Sequence, residues 1–378
     1  MLSMLLTNKL LKGLATADEL QQVMRSLPLN VTTEMDLTLW TLAQKFARDN
    51  EIRQLLLHES SARLAQRYHE GTLPHLVQSE LQTFLHQYGQ RGIAEIDAGL
   101  PRWSEKPEPI FDILANFLGH TQPEQAPDIQ FKRGTREAEE KIRTLIRRAR
   151  HKSWLRGKAV AFALHRMRLL LGLRELPKFT IVSLLAFARA QLWPIGRELA
   201  AIHHLETPED IFFLTLPEVH EALAGKDFRE QVRERRATYA FELRRKHVPR
   251  VLLSDGTEPE ARSIPPDAQG TITLHGIAAS PGHLTGTARV ILDPTNARLE
   301  QGEILVAPST DPGWTPLFLT AGALVMEMGG PMSHGAVVAR EYGIPAVVGV
   351  PGATETIATG QTITVDGFTG TVSITPES

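Results

Sequence analysis

Cysteine is absent from all 378 residues, which removes disulfides, thiolate nucleophiles and zinc-cysteine sites from consideration. Aromatic residues are few, at 6%, and no uninterrupted apolar run approaches the roughly 20 residues needed to cross a bilayer as a helix. Net charge is nearly missing as well: 41 Lys and Arg face 43 Asp and Glu, for −2 overall. A nucleic acid or an anionic membrane as main partner would favour a large positive balance, so neither is expected. The opening MLSMLLTNKLLKGL carries its lysines inside the apolar stretch with no basic segment before it, and does not read as a signal peptide. The expectation is a soluble globular protein, and a cytoplasmic location is compatible with it.

What is present is enough apolar sequence, 42%, to bury cores for two or three domains. From the start to about Arg250 apolar residues recur at helical spacing, as in Leu39, Leu42 and Phe46 or Leu81, Phe84, Leu85 and Tyr88. Thr33-Glu34 and Thr207-Pro208-Glu209-Asp210 read as helix starts, because a hydroxyl cap followed by proline or acid satisfies free amides and suits the dipole. Residues 254–270, SDGTEPEARSIPPDAQG, have three prolines and no periodicity and read as a linker. Beyond it, short β-rich runs at 271–274, 287–292, 304–307, 323–326, 346–348 and 362–365 are set off by glycine and proline turns. The expected fold is therefore multidomain, α and α+β: a mostly helical domain over 1–253, then a compact mixed domain over 271–378.

The strongest local signal is Gly329-Gly330-Pro331-Met332-Ser333-His334-Gly335-Ala336-Val337-Val338-Ala339-Arg340. An apolar strand ends near Met328, two glycines permit unusual backbone angles, and a small-residue helix begins at the histidine. His334 would then sit at a helix N-terminus, where unbonded amides and the dipole stabilise a phosphate on the imidazole. Gly335 and Ala336 would leave room for it, and a neutral imidazole is a competent nucleophile near pH 7. Taken alone, a histidine beside a glycine turn is usually structural.

The surrounding sequence resembles, over 276–374, the mobile phosphohistidine domain of the phosphoenolpyruvate-utilising enzymes, the family of phosphoenolpyruvate synthase and rifampicin phosphotransferase. The pieces that carry the resemblance are GIAASPG at 276–282, GTARVILDP at 286–294, ILVAPSTDPGWTPLF at 304–318, GGPMSHGAVVAREYGIPAVVGVPGAT at 329–354 and the run from Gly360 to Gly367. The resemblance implies a β/β/α swivelling domain whose histidine, His334 by position, carries phosphate between two active sites. Gly330, Ser333, Gly335, Thr310 and Arg340 are the candidate phosphate neighbours. Met332 and Gly335 stand where the dikinase branch often has threonine and alanine, and the Met-Ser-His-Gly form is closer to the rifampicin phosphotransferase and synthase-like branch. Met332 offers no hydroxyl for a threonine-phosphorylation switch.

The helical portion resembles the acceptor-binding domain of the same family through LPLNVTTEMDLTLW at 27–40, YGQRGIAEID at 88–97, LRELPKF at 173–179 and EDIFFLTL at 209–216. Arg174, Glu175 and Lys178 are the acceptor-side candidates. Pro177 disfavours helical geometry at Leu176, so these charges should flank a helix break, where the cations could neutralise a phosphoryl group and Glu175 orient them or accept a proton. A surface ion pair at a helix junction is the structural alternative. Arg91, Glu95 and Asp97 form a second polar cluster, read as acceptor-binding or as a tie between helices. Thr180 and Gln90 depart from the residues expected in the antibiotic enzymes, so rifamycin does not follow as the acceptor. The basic run from Lys141 to Lys158 could meet a partner domain, or be a solvated helix face.

Family enzymes form phosphohistidine from ATP on an ATP-grasp domain, and nothing in these residues resembles one. The implied partner is an ATP-grasp domain or subunit holding ATP and Mg2+, with no cofactor and no metal site on this chain itself. The implied acceptor is a small molecule, pyruvate-like or a hydroxylated natural product. Two alternatives stay open: a non-catalytic binding or regulatory homologue, and a carrier charged directly by phosphoenolpyruvate.

Overall fold

The computed structural model describes residues 2–119, 126–244, 253–257, 272–294, 297, 299–310, 314–331 and 333–374. The helical part contains α1 Leu2–Leu11, α2 Ala17–Val23, α3 Val31–Phe46, α4 Asn50–His58, α5 Ser61–Glu70, α6 His75–Tyr88, α7 Glu108–Gly119, α8 Pro127–Lys152 and α9 Trp154–Gly172. A 3-10 turn, Leu173–Glu175, leads into α10 Leu176–Ala201, and α11 Leu216–Leu223 and α12 Arg229–Glu242 follow. The C-terminal part alternates strands and short helices: β1 Ile272–His275, β2 Ile277–Ser280, β3 His283–Val290, β4 Ile304–Ala307, α13 Thr315–Thr320, β5 Ala323–Met326, α14 His334–Tyr342, β6 Ala346–Val348, α15 Ala353–Thr356, β7 Thr362–Asp366 and β8 Thr371–Ile374. The helical-then-mixed order is the one expected, and among the described residues no helix is long and apolar enough to cross a membrane. Most of the expected linker, 258–270, lies outside the described residues, as does Met332.

Contacts gather the chain into two compact units: Met1–Phe84, Glu108–Pro177 and Ser263–Ser378 in one, Leu85–Pro107 and Lys178–Arg262 in the other. In the first, one helical core joins Leu11, Val23, Leu145, Val160, Leu164 and Met167. Caps set the starts of its helices. Asn30 accepts from the amides of Thr32 and Thr33, so α3 begins one turn before the expected Thr33-Glu34 start. In the second unit, Leu199, Leu205, Ile211, Ala222 and Phe228 form a separate core. Thr207 and Asp210 cap its Pro208–Phe213 turn reciprocally, as anticipated, although the turn is 3-10 rather than α.

The sheet has the order β1-β8-β7-β3-β4-β5-β6-β2. β3, β4, β5 and β6 pair in parallel and the flanking pairs are antiparallel. Alternation along the parallel strands divides their side chains between two cores. Leu305, Ala307, Leu324, Met326 and Val348 join Trp314, Phe318 and Ala336 on one face. Ile304, Val306, Val325 and Val347 join Ile357, Ile363 and Val372 on the other. Burial on both faces explains why these strands read as continuous apolar runs. The matches at β4, β5 and β6 are residue for residue, whereas β2 and β8, each of four residues, were not anticipated.

Candidate functional site

The parallel strand β5 ends at Met326 and delivers the chain to Gly329, whose φ of +125° no side-chain residue adopts readily. Ser333 then closes a turn, its amide and its hydroxyl both donating to the Gly330 carbonyl at 2.9 and 2.8 Å. His334 is the first residue of α14 and is half-buried. The first i→i−4 bond of the helix is made by Val337 to Ser333, so the amides of Gly335 and Ala336 precede the helical ladder and point out of its positive end. The Phe318 ring, 1% exposed, stands edge-on to the imidazole at 6.3 Å.

Gly335 has a different reason to be glycine from the one anticipated. A Cβ there would lie 2.5 Å from both the Met326 sulfur and the Thr310 hydroxyl and 3.3 Å from Leu324, so it is the packing of α14 on β5 that excludes a side chain. Ala336 is fully buried in the same core. Neither position leaves space for a ligand; what they offer is backbone amide. Thr310 lies beside the start of α14, with its hydroxyl on the Met326 sulfur at 3.3 Å. Gly330 has open space where a Cβ would stand.

Arg340 is buried, at 7% exposure. Its Nε donates to the Ala336 carbonyl at 3.0 Å and its Nη2 to the Pro331 carbonyl. The guanidinium therefore ties the histidine turn to its helix rather than facing outward to a phosphate. Burial pulls it down to about 10, with the Arg174 charge adding to the effect and Glu341 opposing it. Arg174 and Glu175 are paired with each other, and both line a small crevice with Val337 and Arg340. This ion pair thus lies against the helix that bears His334. The helix break expected at Leu176 is absent: Leu176 is helical at φ −61°, ψ −43°, and the irregularity is the 3-10 turn before it. Pro177, the second residue of α10, needs no N–H there, which outweighs its steric effect on Leu176.

The second unit holds a buried charge cluster. Arg91 grips Glu95 with two bonds, Nε to Oε2 at 3.0 Å and Nη2 to Oε1 at 3.1 Å, and Lys178 reaches Oε1 at 2.9 Å. Burial alone would raise the Glu95 carboxyl, but these two cations outweigh it and hold it below its ordinary range. Arg91 and Glu95 are 1% exposed, so their side chains brace the segment, while Asp97 is exposed and accepts from the Gly99 amide at 2.7 Å and the Tyr239 hydroxyl at 3.3 Å. Arg102 and Arg189 were missed by sequence reasoning. Arg102 donates to the Glu95 carbonyl at 2.8 Å. Arg189 holds Glu105 and two carbonyls and lies 4.5 Å from the centre of the Phe212 ring. Its signal was available: one cation inside the apolar run LLAFARAQL.

Part of the basic run is engaged within the first unit, Lys141 and Arg148 with Glu19 and Arg156 with the Leu10 carbonyl. Among the described residues no three His, Asp or Glu side chains gather as a metal ion would require.

Residues 1–175 match the family described as the rifampicin phosphotransferase fourth domain, and residues 299–370 match the PEP-utilising enzyme mobile domain. The chain is 34% identical over 374 residues to a rifampicin phosphotransferase of Streptomyces sviceus, covering 98% of this chain and 42% of that protein. A rifampicin phosphotransferase of Bacillus cereus is 34% identical over 365 residues, with 95% and 41% covered. The prodigiosin synthesizing transferase of Serratia marcescens is 30% identical over 315 residues, with 79% and 33% covered. The chain spans about two fifths of the length of the rifampicin phosphotransferases it matches. With residues 1–175 matched to the fourth domain of those enzymes and His334 inside the mobile-domain match, the chain belongs to the PEP-utilising enzyme family, in its rifampicin phosphotransferase-like branch.

Proposed function

We propose that this chain is the acceptor-binding and phosphocarrier portion of a dikinase-like phosphotransferase. His334 takes a pyrophosphoryl group from ATP held by an ATP-grasp domain or subunit, releasing AMP. Water then removes the outer phosphate, and the remaining phosphoryl passes to a hydroxyl of a small-molecule acceptor, whose proton leaves as the phosphorus-nitrogen bond breaks. Mg2+ serves the nucleotide step on the partner.

The observation that carries this reading is the presentation of His334: first residue of α14, half-buried, on a turn closed by Ser333, with the Gly335 and Ala336 amides ahead of the helical ladder. A phosphate on the imidazole would meet those amides and the positive helix end, the arrangement that favours bound anions. Arg174 and Glu175, on the same crevice as Val337 one turn along, supply charge on the acceptor side. Relatives named for phosphotransfer to rifampicin favour a hydroxylated natural product over pyruvate as acceptor class.

The test is to incubate the protein with β-labelled ATP plus an ATP-grasp domain from a relative, and separately with labelled phosphoenolpyruvate. Acid-labile label from ATP that disappears in His334→Ala supports the carrier. Label from phosphoenolpyruvate alone makes it a direct carrier, and no label in either arm makes it a binding homologue.

A further inference from the structure

The C-terminal half of α14 makes contacts that carrying a phosphate does not require. Glu341 is buried, at 8% exposure, and its Oε1 accepts the Leu27 N–H at 3.3 Å, a bond between residues 314 apart in sequence. Its Oε2 is also buried and makes no hydrogen bond among the described residues. Two guanidinium groups act on this carboxyl by charge yet hold other acceptors. Arg168 of α9 donates to the carbonyls of Val23, Arg25 and Ser26, and Arg340 to those of Ala336 and Pro331.

The partner surface is a preformed turn. Ser26 and Leu29 have φ of +46° and +61°, unusual for residues with side chains. Gly134 and Gly172 let the turn approach α8 and the end of α9: a Cβ on Gly172 would fall 1.8 Å from the Pro28 carbonyl oxygen, and one on Gly134 2.3 Å from the Ser26 hydroxyl. A shaped turn, pinned by Arg168, thus receives a carboxyl from the helix that presents His334.

We propose that Glu341 is a positioning residue that seats the histidine-bearing sheet domain on the 23–30 turn, and that the seat tightens when its carboxyl takes up a proton and loosens when it ionises. The proposal rests on the carrier reading only in that the histidine must leave this seat to be charged.

The electrostatics set the sign. Burial pushes Glu341 up to about 7, with the Leu27 and Ser26 amides, Arg168 and Arg340 offsetting it in part. Undocked, the carboxyl returns toward the ordinary value of about 4.3. Between those values the docked form binds the proton more tightly, so docking strengthens as pH falls and weakens as pH rises, levelling off above 7. The linked change is on the order of several hundredfold in the docking ratio, close to tenfold per pH unit inside the window. Other titratable groups face this region. Tyr342 is on the same helix, pushed well above its usual range by burial, and Asp36 and Glu341 add to that. Arg25, Arg133 and Glu137 line an adjoining cleft of about 420 Å³, Glu137 being paired with both arginines. Arg174 and Glu175 line the crevice on the other side.

Because the chain has no cysteine, Arg63→Cys and Phe368→Cys, both at exposed positions, allow a donor and an acceptor dye to be attached for energy transfer between the two parts. From pH 5 to 8.5 the docked-to-free ratio should fall about tenfold per unit up to 7 and then flatten. Glu341→Gln should remove the pH dependence and keep the high-transfer state, and Glu341→Ala, which also removes the acceptor for Leu27, should give a flat profile with a smaller docked fraction. A ratio independent of pH in the parent chain, or Glu341→Gln titrating as the parent does, overturns the proposal. No phosphate enters this measurement, so a flat profile leaves the carrier reading standing, and failure of His334 labelling leaves the seat standing.

Discussion

Gly335→Ala separates the packing account of the histidine helix from a purely conformational one. In an ordinary helix the change favours folding by about 1 kcal/mol, since glycine is the costlier residue. Here the new methyl would meet the Met326 sulfur and the Thr310 hydroxyl at 2.5 Å each, with Leu324 at 3.3 Å. Relieving two such contacts means moving a 1% exposed methionine and breaking the Thr310 contact to its sulfur. Overpacking costs about 1–3 kcal/mol, and two contacts this short place the cost at about 2–3 kcal/mol. The net expectation is a loss of about 1–2 kcal/mol, a factor of 5–30 in the folded ratio. Hydrogen exchange read by mass spectrometry over β5 and α14 should quicken by that factor. Gly330→Ala is the control: nothing lies within 4 Å of the added methyl, and exchange should stay within about twofold of the parent, because the change also restricts the unfolded chain. Gly335→Ala exchanging as slowly as the parent, or more slowly, would refute the packing argument.

Three further outcomes follow from the same geometry. Glu95→Gln leaves Arg91 without its buried carboxylate and should lower the urea stability of the second unit by about 3–5 kcal/mol; a loss below about 1 kcal/mol contradicts the brace. Arg340→Lys cannot hold the Pro331 and Ala336 carbonyls together, so amide exchange over 329–335 should quicken about tenfold or more, at about 1.5–3 kcal/mol per charged bond, while β7 and β8 are unchanged. Glu218 is drawn down to about 2, chiefly by its bond from Arg235. Its stabilisation of α11 is present above the unfolded value of about 4.3 and is lost as pH falls toward 2. Exchange at Val219 and Ala222 should rise over that range in the parent and not in Glu218→Gln.

The legible features were local ones. The Gly329–Arg340 string announced its strand, turn and helix because each residue type there answers to its immediate backbone, and β4, β5 and β6 showed as apolar runs because both their faces are buried. The reason for Gly335 was not legible, since it depends on Met326 and Thr310, distant in sequence. Arg91 and Glu95, four apart, could be paired from sequence, but their burial could not, because they lie in a turn segment and Lys178 of α10 completes the pair. Arg340 looked like a phosphate ligand for the chemistry of its side chain; its two carbonyl partners are set by the folded turn. Glu341 and Arg168 carry no sequence signal, as their shared surface with Leu27 forms only when α14 meets the 23–30 turn.

The central claim is that His334 carries phosphate. Peptide mass spectrometry under alkaline conditions, after charging with ATP and an ATP-grasp domain, tests it most directly. The account predicts one phosphate on His334 in the peptide spanning the Gly329–Arg340 segment, stable in base, lost in acid and absent from His334→Asn. Phosphate on another residue, or a fully unmodified His334 peptide when the same ATP-grasp domain charges the mobile domain of its own enzyme, would contradict it.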